Sequence, residues 1–178
     1  MAHKSQVEWC LKIKEEYPKY FINKRVLDIG SLDINGNNKG LFKNCDYVGL
    51  DLIKGTNVDV VSIAHKFNCD KKFDTVLSTN SFEHDLYYEL TLKNMVNLLN
   101  PLGLMFFTAS SGHKEHGTMR KSPWASGTAK INNKEWGNYY KNLKMEDITK
   151  VLNLEKIFSK FKLEDKEKDI RFVGIKRG

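Results

Sequence analysis

Four short apolar segments that end in polar or acidic residues dominate the chain as far as residue 110. They are VLDIGS (26–31), YVGLDL (47–52), FDTVLSTNSFEHD (73–85) and LNPLGLMFFTAS (99–110). A continuous apolar run of this length is typical of a strand that is buried on both faces of a sheet. Because such strands alternate here with helical patterns, the sequence predicts an α/β fold with a doubly wound, mostly parallel sheet.

The pattern also sets expected bounds for the elements. It predicts strands over 25–30, 46–52, 58–61, 73–80 and 103–110, and helices over 5–20, 85–100 and 144–158. Two alternating runs after residue 158 predict an antiparallel pair of strands at the end of the chain. A length of 178 residues without an internal repeat or a linker favours one domain over residues 1–178.

Composition excludes several classes of protein. Hydrophobic residues make up 40% of the chain, which is too many for a disordered protein. No apolar run approaches the ~20 residues of a membrane span, and the first residues lack a signal peptide, so we expect no membrane partner. The three cysteines are scattered without a C-x-x-C pair, which favours a reducing, cytoplasmic location and argues against a disulfide or zinc framework.

Residues 110–143 are too long for a plain connection and carry most of the positive charge. The window 112–144 holds seven Lys or Arg residues against two glutamates, which leaves a net +5 of the chain's +7. Trp124, Trp136, Tyr139 and Tyr140 lie among these cations. We interpret 110–143 as a lid and substrate-recognition insertion that overhangs the ligand crevice and favours an anionic acceptor. A solvated face is the alternative for the charges, and packing onto the domain is the alternative for the aromatic rings.

In this order and spacing, the four segments resemble the Rossmann-like S-adenosylmethionine-dependent methyltransferases, near the methyltransferase type 11 group. The resemblance covers roughly residues 24–110 and implies a seven-stranded sheet with a C-terminal antiparallel pair and S-adenosyl-L-methionine as cofactor. The chain departs from the family pattern at Leu32 and Ile34, where glycines are usual, and near Ile63, where many relatives have an acid.

The resemblance implies which residues hold the cofactor. Asp51 ends the second strand, 21 residues after Gly30, where a carboxylate accepts hydrogen bonds from a ribose diol. A strand-end aspartate that caps a turn is the alternative. The full set of cofactor-binding candidates is Asp28, Gly30, Ser31, Asp33, Asp51, Leu52, Ala64, His65, Asn80 and Ser81.

The charge of the first loop suits this ligand better than a dinucleotide. A pyrophosphate is bound by backbone N–H groups in a glycine-rich turn, and Asp28 and Asp33 would repel it. S-adenosylmethionine instead presents a sulfonium and an ammonium, and carboxylates accept hydrogen bonds from the ammonium. Gly30 leaves room for a ligand to pass close to the backbone.

Three histidines are the catalytic candidates: His84, His113 and His116. His84 follows the fourth strand, where it could orient a substrate or act as a base, or be a hydrogen-bonded structural histidine. His113, Glu115 and His116 could provide a base, fix their loop or bind a metal; we rank loop fixing first and metal last, because the spacing matches no strong ligand motif. We therefore expect no metal.

The sequence thus predicts an S-adenosylmethionine-dependent methyltransferase. Its acceptor is an O or N site, more plausibly on a small molecule or sugar than on a DNA base, because STNSFEHD lacks the proline-rich motif of base-methylating enzymes. A nicotinamide oxidoreductase is disfavoured by the missing G-x-G-x-x-G motif. The remaining alternative is a non-catalytic S-adenosylmethionine-binding module whose basic lid binds RNA or another polyanion. The sequence does not indicate an oligomeric state.

Overall fold

A seven-stranded sheet forms the centre of the molecule in a computed structural model that describes residues 4–178. The strands are β1 (Arg25–Ile29), β2 (Asp46–Asp51), β3 (Val60–Val61), β4 (Phe73–Thr79), β5 (Leu99–Ser110), β6 (Phe158–Lys166) and β7 (Asp169–Lys176). Their order across the sheet is β3-β2-β1-β4-β5-β7-β6. Strands β1 to β5 pair in parallel, and β7 is antiparallel to both β5 and β6. The α/β fold class, the mostly parallel sheet and the C-terminal antiparallel pair are confirmed.

The first helix covers one face of the sheet. Helix α1 (Lys4–Glu16) and the 3₁₀ turn Pro18–Tyr20 bury a cluster that includes Trp9 and Ile13. The Trp9 ring meets Phe106 of β5 edge to face at 6.1 Å between centroids. Helix α1 ends two residues before Pro18, because proline lacks the N–H that a helix interior needs.

The other face is covered by α2 (Tyr88–Leu98), α4 (Met145–Val151) and α5 (Leu154–Ile157). A fourth short helix, α3 (Lys134–Gly137), belongs to the long segment after β5. Phe107 of β5 is fully buried on this face between Phe82 and Phe172, each with a ring centroid 5.1 Å away. Both faces of the central strands are therefore buried, which is why those strands read as continuous apolar runs.

Some predicted bounds were wrong. The helix predicted over 144–158 is interrupted after Val151, where the Asn153 side chain accepts from the backbone N–H of Lys156 and begins a new helix. The structure also starts β5 at Leu99, so Pro101 and Gly103 lie inside a strand rather than between elements. A proline is tolerated there because Pro101 is exposed and lies where the pairing with β4 is interrupted, between Leu99 and Leu104.

Short turns replace helices in two of the crossovers. Between β1 and β2 the described chain has only the 3₁₀ turn Lys39–Leu41, and between β3 and β4 only Ala64–Lys66. The sheet order reverses between β1 and β4, which is the switch point where ligands bind in open parallel sheets. Loops rather than helix ends therefore form much of the wall at that crevice.

Candidate functional site

A crevice opens at the carboxyl ends of β1, β2 and β4. Eight of the ten predicted cofactor residues line it: Asp28, Gly30, Ser31, Asp51, Leu52, Ala64, Asn80 and Ser81. They come from four separate loops, and the parallel register brings these loops to one edge because β1 pairs with both β2 and β4. Its lining combines acidic side chains, amide side chains and apolar groups.

Asp28 is buried within β1, with 2% of its surface exposed. The Tyr47 hydroxyl donates to its Oδ2 atom at 2.5 Å, whereas Oδ1 is buried without a hydrogen-bond partner among the described residues. Burial raises the pKa of Asp28 to about 7, opposed by the Tyr47 hydrogen bond and reinforced by the nearby charge of Asp51. This carboxyl group is therefore a hydrogen-bond acceptor with unused capacity and a strong preference for a cationic neighbour.

Gly30 lets the loop after β1 turn sharply beside the loop after β4. Its φ is +75°, and a Cβ at this position would lie 2.5 Å from the Cβ of Ser81. Its N–H donates to the carbonyl of Leu50 at 2.9 Å, which ties the turn to β2. Only glycine meets both the backbone conformation and the close approach.

Replacing Gly30 with alanine is therefore expected to lower the free energy of unfolding by about 1–3 kcal/mol, from overpacking and a strained φ. Urea unfolding of the variant and the parent measures this difference. Gly40→Ala is the matched control, since a Cβ at Gly40 would have no atom within 4 Å and its φ is not positive. Equal stability of the two variants would contradict the role given to Gly30.

Asp51, at the end of β2, holds two loops together. Its Oδ2 accepts from the backbone N–H of Leu32 at 3.1 Å and its Oδ1 from that of Ile53 at 3.3 Å. Burial raises the pKa of Asp51, and these amide hydrogen bonds act in the opposite direction. A carboxylate has about four lone-pair sites, so Asp51 retains capacity for a ligand's hydroxyl groups after binding both amides.

Asn80 and Ser81 follow β4 and belong to a polar network at the crevice floor. Asn80 has a φ of +46°, and its Oδ1 accepts from the Thr108 hydroxyl at 2.6 Å. The same hydroxyl accepts from Nε2 of Gln6, a residue of α1 that also lines the crevice. The hydroxyl groups of Ser78 and Ser81 lie 2.6 Å apart. These hydrogen bonds hold the Asn80 side-chain amide in one orientation.

The segment after β5 lies across the crevice. Ala125, Ser126, Gly127 and Thr128 line it together with Trp136. A Cβ at Gly127 would lie 3.3 Å from Oδ1 of Asp51. The segment that begins next to β5 therefore reaches the end of β2.

Trp136 fastens this segment to the loop after β4. Its indole N–H donates to the carbonyl of His84 at 3.0 Å, and its side chain is buried. The backbone N–H of Lys141 donates to the Glu83 carbonyl at 2.9 Å. Trp124 instead is 71% exposed and lies outside the crevice lining.

The three candidate catalytic histidines lie in different surroundings. Of these, only His84 lines the crevice; its ring lies 5.2 Å from that of His116, and both pack against Tyr140. His113 lies 3.3 Å from Oδ1 of Asp169 instead. Burial lowers the pKa of His84 to about 3, so its ring is neutral at pH 7.

The group His113, Glu115 and His116 is not a unit in space. The Glu115 carboxylate accepts from Arg120 at 2.7 Å and from the Thr118 hydroxyl at 2.8 Å, which fixes its own loop. His116 joins His84 and Glu83, a fully buried residue whose Oε2 accepts from the Ser110 N–H at 3.3 Å. Burial raises the pKa of Glu83 to about 7.

Two predicted cofactor residues, Asp33 and His65, are outside the crevice lining. The Asp33 carboxylate accepts from the backbone N–H of Gly36 at 2.7 Å and from the Asn37 side chain at 2.6 Å. The His65 ring packs against Tyr87 at 4.9 Å. Asp33 thus shapes the loop after β1 without reaching the ligand space.

The sequence reasoning missed several residues that line the crevice. They include Gln6, Asn38, Thr79, Ser126 and Thr128. Gln6 lies on α1, far from the motifs in sequence, and only the packing of that helix under β5 brings it to the site. A polar residue on the apolar side of α1 is the one signal that could have identified Gln6.

No protein-family model matches the chain, and no curated protein sequence matches it. Solved structures do match. N-methyltransferase NodS from Bradyrhizobium japonicum WM9, in complex with S-adenosyl-L-homocysteine, is 12% identical with a TM-score of 0.62 over 99% of this chain and 89% of that one. Phosphoethanolamine N-methyltransferase 2 from Haemonchus contortus, in complex with S-adenosyl-L-methionine, is 16% identical with a TM-score of 0.64 over 96% of this chain and 53% of that one.

A third match contains a methyl acceptor. The 1,6-didemethyltoxoflavin-N1-methyltransferase of Burkholderia thailandensis, with bound 1,6-didemethyltoxoflavin and S-adenosylhomocysteine, is 12% identical with a TM-score of 0.62 over 95% of this chain and 76% of that one. At such identities the likeness shows the fold, which is the Rossmann-like methyltransferase fold. In the described residues, no helix has the length and apolar character to cross a membrane.

Proposed function

We propose that the chain is an S-adenosylmethionine-dependent methyltransferase that acts on an O or N site of a small molecule or sugar. The observation that carries the proposal is the pair of carboxylates, Asp28 and Asp51, at one crevice of a methyltransferase fold. Three solved structures with this fold contain S-adenosylmethionine or S-adenosylhomocysteine by their own descriptions. The chain's own residues provide the remaining support.

The crevice has the polar groups that this cofactor requires. The unpaired Oδ1 of Asp28 suits an ammonium group, and the spare lone pairs of Asp51 suit a ribose diol. The lack of a side chain at Gly30 lets the loops after β1 and β4 pack directly against each other at Ser81, so that both can contact one ligand. We infer further that Leu52 and Ala64 contact the adenine, and that Ser31, Asn80 and Ser81 contact the methionine part. When bound, the cofactor supplies an electrophilic methyl group on a sulfonium.

The protein's contribution to methyl transfer is to align the acceptor and exclude water. The segment Ala125–Thr128 and the Trp136 ring cover the crevice from the side of β5, which is consistent with a lid over residues 110–143. Trp124, exposed at the same segment, could stack on a planar acceptor or a sugar. Of the three candidate histidines, His84 is the one placed to contact and orient an acceptor, whereas a pKa of about 3 makes its neutral ring too weak a base to remove a proton at pH 7.

Calorimetry with S-adenosylhomocysteine and with NADH tests the proposal. We expect saturable one-to-one binding of S-adenosylhomocysteine and no detectable binding of NADH, because a pyrophosphate would lie next to Asp28 and Asp51. Tight binding of NADH without binding of S-adenosylhomocysteine would overturn it. A positive result should be followed by a screen of acceptors for methyl transfer.

The alternative of a non-catalytic module that binds a polyanion through its basic lid receives less support. Arg120 is paired with Glu115 at 2.7 Å and Lys141 with Asp147 at 2.8 Å. These ion pairs reduce the charge that the segment presents to an RNA backbone. A steep loss of RNA affinity with added salt, together with no methyl transfer to any acceptor, would favour the alternative.

The affinity for S-adenosylhomocysteine is expected to rise with pH through the pKa of Asp28. Burial raises that pKa to about 7 in the free protein, and a bound ammonium favours the carboxylate form, so binding releases a proton. Below pH 7 the affinity should therefore fall, by about tenfold between pH 8 and pH 6. Calorimetric titrations across this range measure the slope. The same slope in Asp28→Asn would assign the effect to another group.

A further inference from the structure

A cluster of metal-ligating side chains lies beside the crevice. Glu83 and His84 form the end of the 3₁₀ turn Phe82–His84 after β4, and His116 comes from the segment after β5. One potential ligand atom from each residue lies within 4.8 Å of the other two. Glu83 is completely buried and His84 is 5% exposed, whereas His116 is only partly buried. The cluster is therefore buried on the side of Glu83 and His84 and lies nearer to solvent on the side of His116.

Two buried polar atoms of this cluster lack hydrogen-bond partners among residues 4–178. They are Oε1 of Glu83 and Nδ1 of His84. A buried acceptor left without a partner destabilises the fold, and a charged group does so more strongly. A ring nitrogen that carries no hydrogen and a carboxylate oxygen are both acceptors, so a proton or a cation is needed to satisfy them together. One ligand atom from each of Glu83, His84 and His116 lies within 4.8 Å of the others, which suits a positively charged ligand.

The tautomer of His116 suits metal binding. Its Nδ1 lies 2.9 Å from the carbonyl oxygen of Lys114. A carbonyl only accepts, so Nδ1 carries the hydrogen and Nε2 retains a free lone pair. Histidines that bind metals are generally held in this way, with the other ring nitrogen donating to a carbonyl or carboxylate.

We propose that Glu83, His84 and His116 bind a divalent transition-metal ion such as Zn²⁺. Two imidazoles and one carboxylate form the protein ligand set of many zinc sites in which one position remains open, and also of sites for Fe²⁺. Bond lengths of about 2.0–2.2 Å require the ligand atoms to approach one another to about 3–3.6 Å. Side-chain rotations that move the ligand atoms by roughly an ångström from their present positions achieve this spacing.

The site would add an oxygen-binding group to the acceptor side of the crevice. Of the three residues, His84 alone lines the crevice, so an ion bound to the cluster would lie at the edge of the crevice beside His84. The open coordination position then suits a hydroxyl or carboxylate oxygen of the acceptor. This part of the inference rests on the proposed methyltransferase function, and it narrows the acceptor to a molecule with an oxygen ligand, such as a sugar. The metal site itself does not depend on the function.

Metal binding can be measured without any methyl acceptor. After treatment with a chelator and its removal, the protein should bind one Zn²⁺ per chain in calorimetry. It should also bind Co²⁺ with visible absorption bands that report nitrogen and oxygen ligands. Zn²⁺ should raise the thermal midpoint by several degrees, because a ligand that binds only the native state stabilises it. The absence of one-to-one binding would overturn the inference.

Variants assign the binding to the three residues. His116→Gln should weaken Zn²⁺ binding at least 100-fold, since it removes one of three protein ligands. His65→Gln is the matched control, because His65 lies outside the cluster and packs against Tyr87. Glu83→Gln provides a second test if His116→Gln does not fold. Unchanged Zn²⁺ affinity in both cluster variants, or an equal loss in the control, would contradict the assignment.

The two proposals fail in different ways. S-adenosylhomocysteine should bind the chelator-treated protein, because Asp28 and Asp51 are not part of the cluster. Binding of this ligand without binding of Zn²⁺ would leave the methyltransferase proposal standing and remove the metal site. Binding of Zn²⁺ without binding of S-adenosylhomocysteine would leave the metal site standing and remove the methyltransferase proposal.

Discussion

Replacing Phe107 with alanine is expected to lower the free energy of unfolding by about 3–5 kcal/mol, since it removes a large side chain from a packed interior. Phe107 is fully buried in β5, and its ring contacts Phe82 edge to face and Phe172 in a stacked arrangement. Three parts of the fold therefore lose contacts at once: the central strand, the turn after β4 and the antiparallel pair. The strands of the sheet hold the side chains around the resulting cavity in place, so these side chains cannot relax far enough to fill it.

Urea unfolding followed by tryptophan fluorescence measures the change. Phe161→Ala is the matched control, because Phe161 lies on the edge strand β6 and is 38% exposed. We expect that control to lose less than about 1 kcal/mol. A similar loss in both variants would show that Phe107 does not hold the central core. Because Phe82 directly precedes Glu83 and His84, the Phe107 variant should also bind Zn²⁺ less tightly.

Replacing Asp51 with alanine is expected to weaken S-adenosylhomocysteine binding by about 10- to 100-fold, or ~1–3 kcal/mol. The loss has two sources. The variant removes the acceptor for a ribose diol, and it releases the backbone amides of Leu32 and Ile53 that the carboxylate holds. Asp51→Asn keeps a side-chain oxygen for the amides and should recover part of the affinity. The comparison between the two variants separates direct contact from loop support.

Asp46→Ala is the control for this experiment. Asp46 begins the same strand at its opposite end, and its side chain is 67% exposed in an ion pair with Arg25. Its removal should leave ligand affinity unchanged, because a surface ion pair contributes little to stability. Calorimetry on all three variants measures the affinities. If Asp51→Ala binds S-adenosylhomocysteine as tightly as Asp46→Ala does, Asp51 does not contact the ribose.

The acidic residues of the crevice could be predicted from the sequence. Asp28 is the penultimate residue of β1 and Asp51 is the last residue of β2, and parallel strands bring their carboxyl ends to one edge of the sheet. The strand positions follow from hydrophobic pattern, which is local information. Asp33 carries the same charge in the same loop, yet its carboxylate caps the turn at Gly36. That distinction depends on the direction of a side chain within an irregular loop, which pattern does not encode.

The grouping of the histidines was beyond sequence reasoning for a related reason. Proximity along the chain favoured His113, Glu115 and His116 as a unit. In the fold, Arg120 holds Glu115, and the turn after β4 supplies the partners of His116. Those partners, Glu83 and His84, are separated from His116 by β5 and α2. Contacts between distant segments are decided by packing across the sheet.

By itself, the sequence established the α/β class, the approximate strand locations and the aspartates near the carboxyl ends of β1 and β2. These depend on continuous apolar runs that alternate with helical patterns, and on the rule that parallel strands share a ligand-binding edge. Only the tertiary structure decided which loops meet at that edge. It placed Gln6 of α1 in the crevice, laid the Ala125–Thr128 segment over Asp51 and joined His116 to Glu83 and His84. The physical reason is that side-chain convergence arises from long-range packing, whereas apolar periodicity records only local burial.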